Sequence, residues 1–405
     1  MDKEAEFPQV RILYIVTAYD RRIGDGITPW LVETIRRLAD RDVAVEVLAP
    51  SYRGLESGVV GDVRVHRFRY ALSSWETLTH DQTAPDRVRE KPIVLGLLPG
   101  FVAAASAAAA RVARGGSFDA VHVHWPLPMA IPGWAARRAA GIPLICSFHG
   151  VEMTFARAAP VPFLVPFLRR AIRTADAVTA NSTYTANLIR DLYARPIDII
   201  PFGATTPVPS ATPPMEVGGP LRLLFVGRLV ERKGVHYLLR AVASARKEVE
   251  LTLDIVGQGP ERERLEQESR ALGLGDAVRF HGFVSHEELV RHYERAQVFV
   301  LPAAPDAKGD VEGLGVVLIE ALSYGRAVIA SAAGGITDIV KDDRSGILVP
   351  PGDAPALTRA ITALARDPQR LQRLGRDGRD FVQERFGWTG VIDRLVGLYH
   401  RVIGT

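Results

Sequence analysis

The sequence predicts an α/β protein built from two Rossmann-like, doubly wound domains facing a cleft. Three observations carry this. Short β-branched apolar runs alternate with helix-forming stretches over 11–200, the pattern of parallel strands joined by covering helices. The pattern stops at 204–220, where five prolines and two glycines stand among few large apolar side chains. It then restarts and continues to the C-terminus, and a chain of 405 residues has room for two or three domains.

The elements follow in order. Residues 11–17 form an apolar run of the length and branching of a buried parallel strand. Gly24-Asp25-Gly26 makes a turn, and Thr28-Pro29 opens a helix to about Ala39. Threonine sits at the cap, and proline occupies the first turn, where no N–H is needed. Strands at 43–48 and 63–69 precede a loop at 70–92. Helix 100–114, strand 120–123, helix 129–140 and strand 143–148 come next. Helix 163–175, strand 177–180, helix 182–193 and strand 197–200 complete the first half. In the second half, strands are predicted at 222–227, 250–256, 278–281, 298–301, 327–330 and 347–349. Helices fall at 233–246, 260–272, 286–295, 315–324 and 353–365, then at 368–385 and 388–403. The domains expected are 1–203 and 221–387, joined by the 204–220 linker and followed by a final helix at 388–405. Ligands of such sheets bind outside the carboxyl ends of the strands.

Composition narrows the functional classes. Hydrophobic content of 47% and charged content of 24% are those of a soluble globular protein. The single cysteine, Cys146, excludes an intramolecular disulfide framework, and its apolar neighbours point to a buried structural thiol. The charged start, Met1 to Phe7, lacks the apolar core of a secretion signal. Residues 93–110 come nearest to a spanning segment, but they are alanine-rich and broken by Pro99 and Gly100, so a soluble helix is expected. A net charge of +4 and a pI near 9.2 admit anionic partners without choosing among sugar nucleotides, anionic lipid and nucleic acid.

Two stretches carry chemistry. The first strand of the second half runs out into Gly227-Arg228, followed by Lys233-Gly234. Glycine at a strand end lets backbone approach a ligand. An arginine fork and a lysine point charge beside it suit a diphosphate, although an isolated basic turn is more often simply solvated. The second stretch, Glu312-Gly313-Leu314-Gly315 through Glu320, reads as a turn into an apolar helix with a carboxylate on either side of its start. A helix N-terminus offers free N–H groups and the positive end of the dipole to a phosphate.

Gly227-Arg228 with Lys233-Gly234, about 80 residues before Glu312-x7-Glu320, resembles the retaining GT-B glycosyltransferases of family 4. Weaker signatures fall in the family's order: His149-Gly150, Asn181-Ser182, Pro201-Phe202-Gly203, Gly257-Gln258-Gly259-Pro260, Gly334-Gly335 and Gly346-Ile347-Leu348-Val349. The resemblance covers nearly the whole chain. It implies transfer of a sugar from a nucleotide-sugar donor to a hydroxyl acceptor with retention at the anomeric carbon. Arg228 and Lys233 would hold the donor diphosphate as it leaves, Glu320 the ribose hydroxyls and Glu312 hydroxyls of the transferred sugar. Backbone at Gly227, Gly313, Leu314 and Gly315 would cradle sugar and phosphate. Gly26 would approach the diphosphate from the first domain, with His149 beside the reacting sugar. Among these, His149, Arg228, Lys233 and Glu312 are the catalytic candidates. No cofactor or metal is expected, nucleic acid is not an expected partner, and no general base is assigned.

The sequence also departs from the family pattern. Gly24-Asp25-Gly26 replaces adjacent glycines, and an aspartate near a diphosphate would repel it, so Asp25 is expected to point away or touch the acceptor. Asp338 stands where the family often has glutamate. His122 and His124 share one face of a strand, and with His149 could suggest a metal, but the structural reading is favoured. Gly257-Gln258-Gly259 lacks the third glycine of a dinucleotide fingerprint, Arg262 standing in its place. Pro162 to Arg173 reads first as a core helix with exposed arginines and second as a surface for anionic lipid. The expected location is cytoplasmic, extending to the inner membrane face. Alternatives are a sugar-nucleotide hydrolase or epimerase on the same fold, and a non-catalytic sugar-nucleotide-binding protein. Acceptor contacts are expected near 70–92 and 150–165.

Overall fold

The computed structural model describes residues 10–80, 91–158, 161–208, 215–216, 218–307 and 309–404. Parts of the expected linker (209–214 and 217), of the 70–92 loop (81–90) and of the 150–165 region (159–160) lie outside these. The chain forms two compact units. One comprises 1–181, 185–200 and 392–405, and the other 182–184 and 201–391.

The first unit holds strands β1 (Val10–Ile15), β2 (Val43–Pro50), β3 (Gly58–Val60), β4 (Val63–Phe68), β5 (Ala120–His124), β6 (Leu144–Phe148), β7 (Ala177–Ala180) and β8 (Asp198–Ile199). Its helices are α1 (Pro29–Ala39), α2 (Leu98–Gly115), α3 (Pro126–Ala140), α4 (Val151–Ala158), α5 (Leu164–Thr174) and α6 (Thr183–Leu192). The sheet runs β3-β4-β2-β1-β5-β6-β7-β8, with the order reversing beside β1. Every pairing is parallel except β3 with β4. The antiparallel β3 and the helix α4 are absent from the sequence prediction. Three strand residues are too few for a legible alternation, and α4 begins directly after a loop glycine, Gly150.

Parallel strands are buried on both faces, and β5, β6 and β7 are buried at every residue. Cys146 lies in this layer, fully buried, and burial pushes its thiol up to about 12. In α5, Leu164, Leu168, Ala171 and Ile172 are buried while Arg169, Arg170 and Arg173 are exposed, the arrangement of a core helix with a basic outer face. The stretch Ile93–Gly115 is long and apolar enough to cross a membrane by length and composition. In this structure Phe101, Ala105, Ala108, Ala109 and Ala113 of α2 are buried, whereas Ile93 and Leu95 are exposed.

The second unit holds β9 (Leu221–Val226), β10 (Leu251–Val256), β11 (Val278–Gly282), β12 (Val298–Leu301), β13 (Ala327–Ser331) and β14 (Ile347–Val349). Its helices are α7 (Val235–Ala245), α8 (Arg262–Ala271), α9 (His286–Arg295), α10 (Val316–Ser323), α11 (Ile336–Ile339), α12 (Ala354–Arg366) and α13 (Pro368–Phe386). The last helix, α14 (Trp388–Ile403), starts in this unit and ends in the first. The wholly parallel sheet runs β11-β10-β9-β12-β13-β14, the doubly wound order with its switch point between β9 and β12. The start of the 204–220 stretch is engaged here. Ala204 is buried and its carbonyl accepts from Trp388 Nε1 at 2.7 Å, while the Pro207 carbonyl accepts from the Tyr324 hydroxyl at 2.6 Å.

Candidate functional site

In the second unit the structure brings Lys233, from the turn that follows β9, against Glu312, ahead of α10, while Glu320 finds other partners. Gly227 leaves the strand and donates its N–H to the Val256 carbonyl at 3.0 Å. The backbones are crowded here, because a Cβ on Gly257 would lie 2.0 Å from the Gly227 carbonyl oxygen. Arg228 is exposed at the turn. A short 3-10 turn, Glu231–Lys233, then carries the chain into α7 through Gly234 in the left-handed region, φ +68°.

Lys233 is buried, and its ammonium lies 2.6 Å from a carboxylate oxygen of Glu312. Burial works to raise the Glu312 carboxyl, but the charge and hydrogen bond of Lys233 outweigh it and hold the group below the usual range. Main chain seats this loop. Glu312 accepts the Gly335 N–H at its carbonyl, 2.9 Å away, and a Cβ on Gly335 would come within 2.0 Å of the Gly313 oxygen. The late glycine pair is thus a floor on which Glu312 and Gly313 rest. Leu314 is buried, and Gly315, at φ +88°, caps α10.

Glu320 is buried on α10 and accepts three hydrogen bonds. Thr205 donates its N–H at 3.2 Å and its hydroxyl to one oxygen, and Tyr293 donates its hydroxyl to the other at 2.8 Å. Thr205 and Tyr293 were not singled out in the sequence. They lie 115 and 27 residues away, and no local spacing marks them. A carboxylate has about four lone-pair sites, so acceptor capacity remains.

In the first unit, Asp20 is the residue that sequence reasoning missed. It follows β1, is buried, and accepts the N–H groups of Gly26, Ile27 and Thr28 at 3.2, 3.1 and 3.2 Å. The signal was a short acidic side chain a few residues ahead of a helix start. Asp25 pairs with Arg21 at 2.7 Å, and that hydrogen bond holds its carboxyl below the usual range. Its charge is met within its own loop.

His149 lies in an aromatic nest. Its ring centroid is 4.6 Å from that of Trp125, 5.2 Å from Trp30 on α1, and 5.5 Å from His124. Trp30 thus ties the Gly26 loop to His149. Burial lowers the His149 imidazole to about 3, so it is neutral near pH 7. Glu152, buried and accepting the His149 N–H, is pushed by burial up to about 7. His122 has both ring nitrogens engaged, Nδ1 with the Tyr399 hydroxyl at 2.8 Å and Nε2 with the Ser147 hydroxyl at 2.6 Å. That engagement favours its structural reading. Asp40-Arg41-Asp42 is an Asp-x-Asp triplet, but it forms an exposed turn after α1 whose Arg41 pairs with Asp393.

Two family models match the chain. Glycosyltransferase Family 4 covers residues 24–206, and Glycosyl transferases group 1 covers 215–381. One relative is a GDP-mannose-dependent alpha-(1-6)-phosphatidylinositol monomannoside mannosyltransferase of Mycolicibacterium smegmatis. It is 34% identical over 273 residues, covering 64% of this chain and 71% of its own length. A D-inositol 3-phosphate glycosyltransferase of Catenulispora acidiphila is 28% identical over 404 residues, covering 93% and 91%. Among solved structures, sucrose-phosphate synthase from Thermosynechococcus elongatus superposes with a TM-score of 0.74 at 26% identity, over 98% of this chain and 99% of that one.

Proposed function

This chain belongs to glycosyltransferase family 4, with the GT-B architecture, and from that premise we propose that it transfers a sugar from a nucleotide-sugar donor to a hydroxyl acceptor with retention. The observation that carries the reading is the Lys233–Glu312 pair at the carboxyl end of β9 and ahead of α10. In this reading Lys233 would be a buried cation for the negative charge gathering on a leaving diphosphate, and Glu312 would be a carboxylate acceptor for sugar hydroxyls.

In the proposed reaction, the bond between the anomeric carbon and the diphosphate oxygen breaks while a bond to the acceptor oxygen forms on the same face. The acceptor proton passes to the departing diphosphate, which leaves as the nucleoside diphosphate. Lys233 and Arg228 would stabilise that leaving group, and backbone at Gly227 and Gly313 to Gly315 would line its approach. Glu312 would orient the sugar, and Glu320 would use its remaining lone pairs on the ribose. His149, as a neutral imidazole, would donate or accept a hydrogen bond at the sugar, and Gly26 would serve the diphosphate through backbone. No resident metal takes part in this scheme.

The relatives' names favour GDP-mannose as donor and an inositol-bearing acceptor. The test is incubation with GDP-mannose, UDP-glucose and other nucleotide sugars, with and without an inositol phosphate or a phosphatidylinositol mannoside. Acceptor-dependent product with donor anomeric configuration, formed equally in excess chelator, supports the proposal. Sugar release independent of acceptor points to the hydrolase alternative, and inverted product overturns the retaining assignment.

A further inference from the structure

A second constellation of chemistry-bearing side chains lies on the outer flank of the second unit's sheet. Asp254 projects from β10, His281 from the edge strand β11, and His292 from α9. One donor atom from each lies within 4.8 Å of the others. His281 Nε2 is 2.6 Å from an Asp254 oxygen, and the two imidazole centroids are 4.4 Å apart, edge to face.

Two local devices bring these residues together. The β10–β11 ladder shifts register, pairing Ile255 with Phe280 but Val256 with Gly282, so His281 is the extra residue of a bulge. Bulges re-aim side chains, and this one turns His281 to Asp254. On α9, the capping box of Ser285 and Glu288 sets where the helix begins, and hence where His292 sits about two turns later.

We propose that Asp254, His281 and His292 bind a first-row transition dication, with Zn²⁺ as the best match. Two imidazoles and one carboxylate are the ligand set such ions prefer, and three protein ligands leave a fourth position for water. Ligand atoms around tetrahedral zinc stand roughly 3.3 Å apart given bonds of about 2.0 Å. The present spacing therefore needs only side-chain adjustment, including a lengthened His281–Asp254 contact. Glu288, Arg291 and Arg295 line the adjoining hollow. The two arginines offset the charges of Asp254 and Glu288, so an anionic co-ligand is compatible with the fourth position. The metal would clamp α9 against the bulged edge, a role independent of sugar transfer.

The experiment is a Co²⁺ titration of tag-free protein followed by visible d–d absorption, with Zn²⁺ competition and thermal melts alongside. One equivalent of Co²⁺ is expected to produce the bands, Zn²⁺ to bleach them, and Zn²⁺ to raise the melting temperature. Asp254→Asn, His281→Ala and His292→Ala should each lose the bands and the thermal shift while keeping their metal-free circular dichroism. His286→Ala, on the same helix but outside the cluster, should retain both. Absence of bands in the wild type, their persistence in a His281→Ala/His292→Ala double variant, or their loss in His286→Ala would overturn the proposal. Asp254→Asn nearly preserves side-chain shape, so it decides the matter if an alanine variant fails to fold.

Discussion

The ammonium of Lys233 lies 2.6 Å from the carboxylate of Glu312, two largely enclosed charges on different loops of one unit. Each makes the burial of the other tolerable. Removing one should therefore cost more than the contact alone suggests. Lys233→Ala is expected to destabilise the second unit by about 3 kcal/mol, and Lys233→Ala with Glu312→Ala by less than the sum of the single changes. Urea unfolding of the four proteins measures the coupling, and strict additivity would remove it. Because the Glu312 carboxyl is held below its usual range, the stabilisation from this pair is present above that range and is lost as pH falls through it.

Glu320 joins Thr205 and Tyr293 through its carboxylate. Glu320→Gln keeps the volume but removes the charge and replaces one acceptor oxygen with a donor. We expect about 1–2 kcal/mol lost in unfolding free energy and roughly tenfold weaker nucleotide binding. Tyr293→Phe should show the stability effect with little change in nucleotide affinity. Calorimetry with the nucleoside diphosphate separates the two, and an unchanged affinity in Glu320→Gln would dismiss its ribose role.

Gly335 tests the floor beneath the Glu312 loop. Its φ of −75° suits any residue, so substitution meets only a steric obstacle, the Gly313 oxygen 2.0 Å from the new Cβ. Gly335→Ala is expected to cost about 2–3 kcal/mol and to reduce transfer far more than a surface glycine change such as Gly61→Ala does. A crystal structure with the loop undisplaced, or unaltered turnover, would contradict this.

The buried histidines of the first unit set an acid limit. Burial lowers His122 and His149 to about 3, and His124 well below its ordinary range. A depressed histidine contributes stability above its unfolded value near 6.5, lost as pH falls toward its folded value. Each should cost about 1.4 kcal/mol per pH unit below 6.5. Glu152 runs the other way. Its raised carboxyl contributes stability below about 4.5 that is lost as pH rises through 7. Comparing stability at pH 7 and pH 5, His122→Gln should lose less than the wild type on acidification. Parallel curves would show that His122 does not titrate on unfolding.

Much of the architecture was legible in the residues. Apolar runs marked the interior strands because parallel strands are buried on both faces, whereas the chain passes between its two units at 200/201, ahead of the Pro- and Gly-rich 204–220 stretch expected to link them. The short β3 was not legible, because three residues carry no period. At the candidate site, turn and helix-start chemistry marked the Gly227-Arg228 to Lys233 turn and the Glu312 to Glu320 stretch separately, and only the resemblance to a family joined them into one expected site. Asp20 was not recognised, because a carboxylate after a strand is common and only its three N–H partners distinguish it.

The sequence by itself determined most of the strands and helices, β3 and α4 excepted, and which residue types stand at their ends, because periodicity, capping and turn preferences act between near neighbours. Only the tertiary structure decided which of them meet. The sheet order brought Lys233 to Glu312, Thr205 and Tyr293 to Glu320, and a bulge on β11 brought His281 to Asp254. Such pairings follow from how strands are laid side by side and helices packed over them, and spacing along the chain does not encode that arrangement.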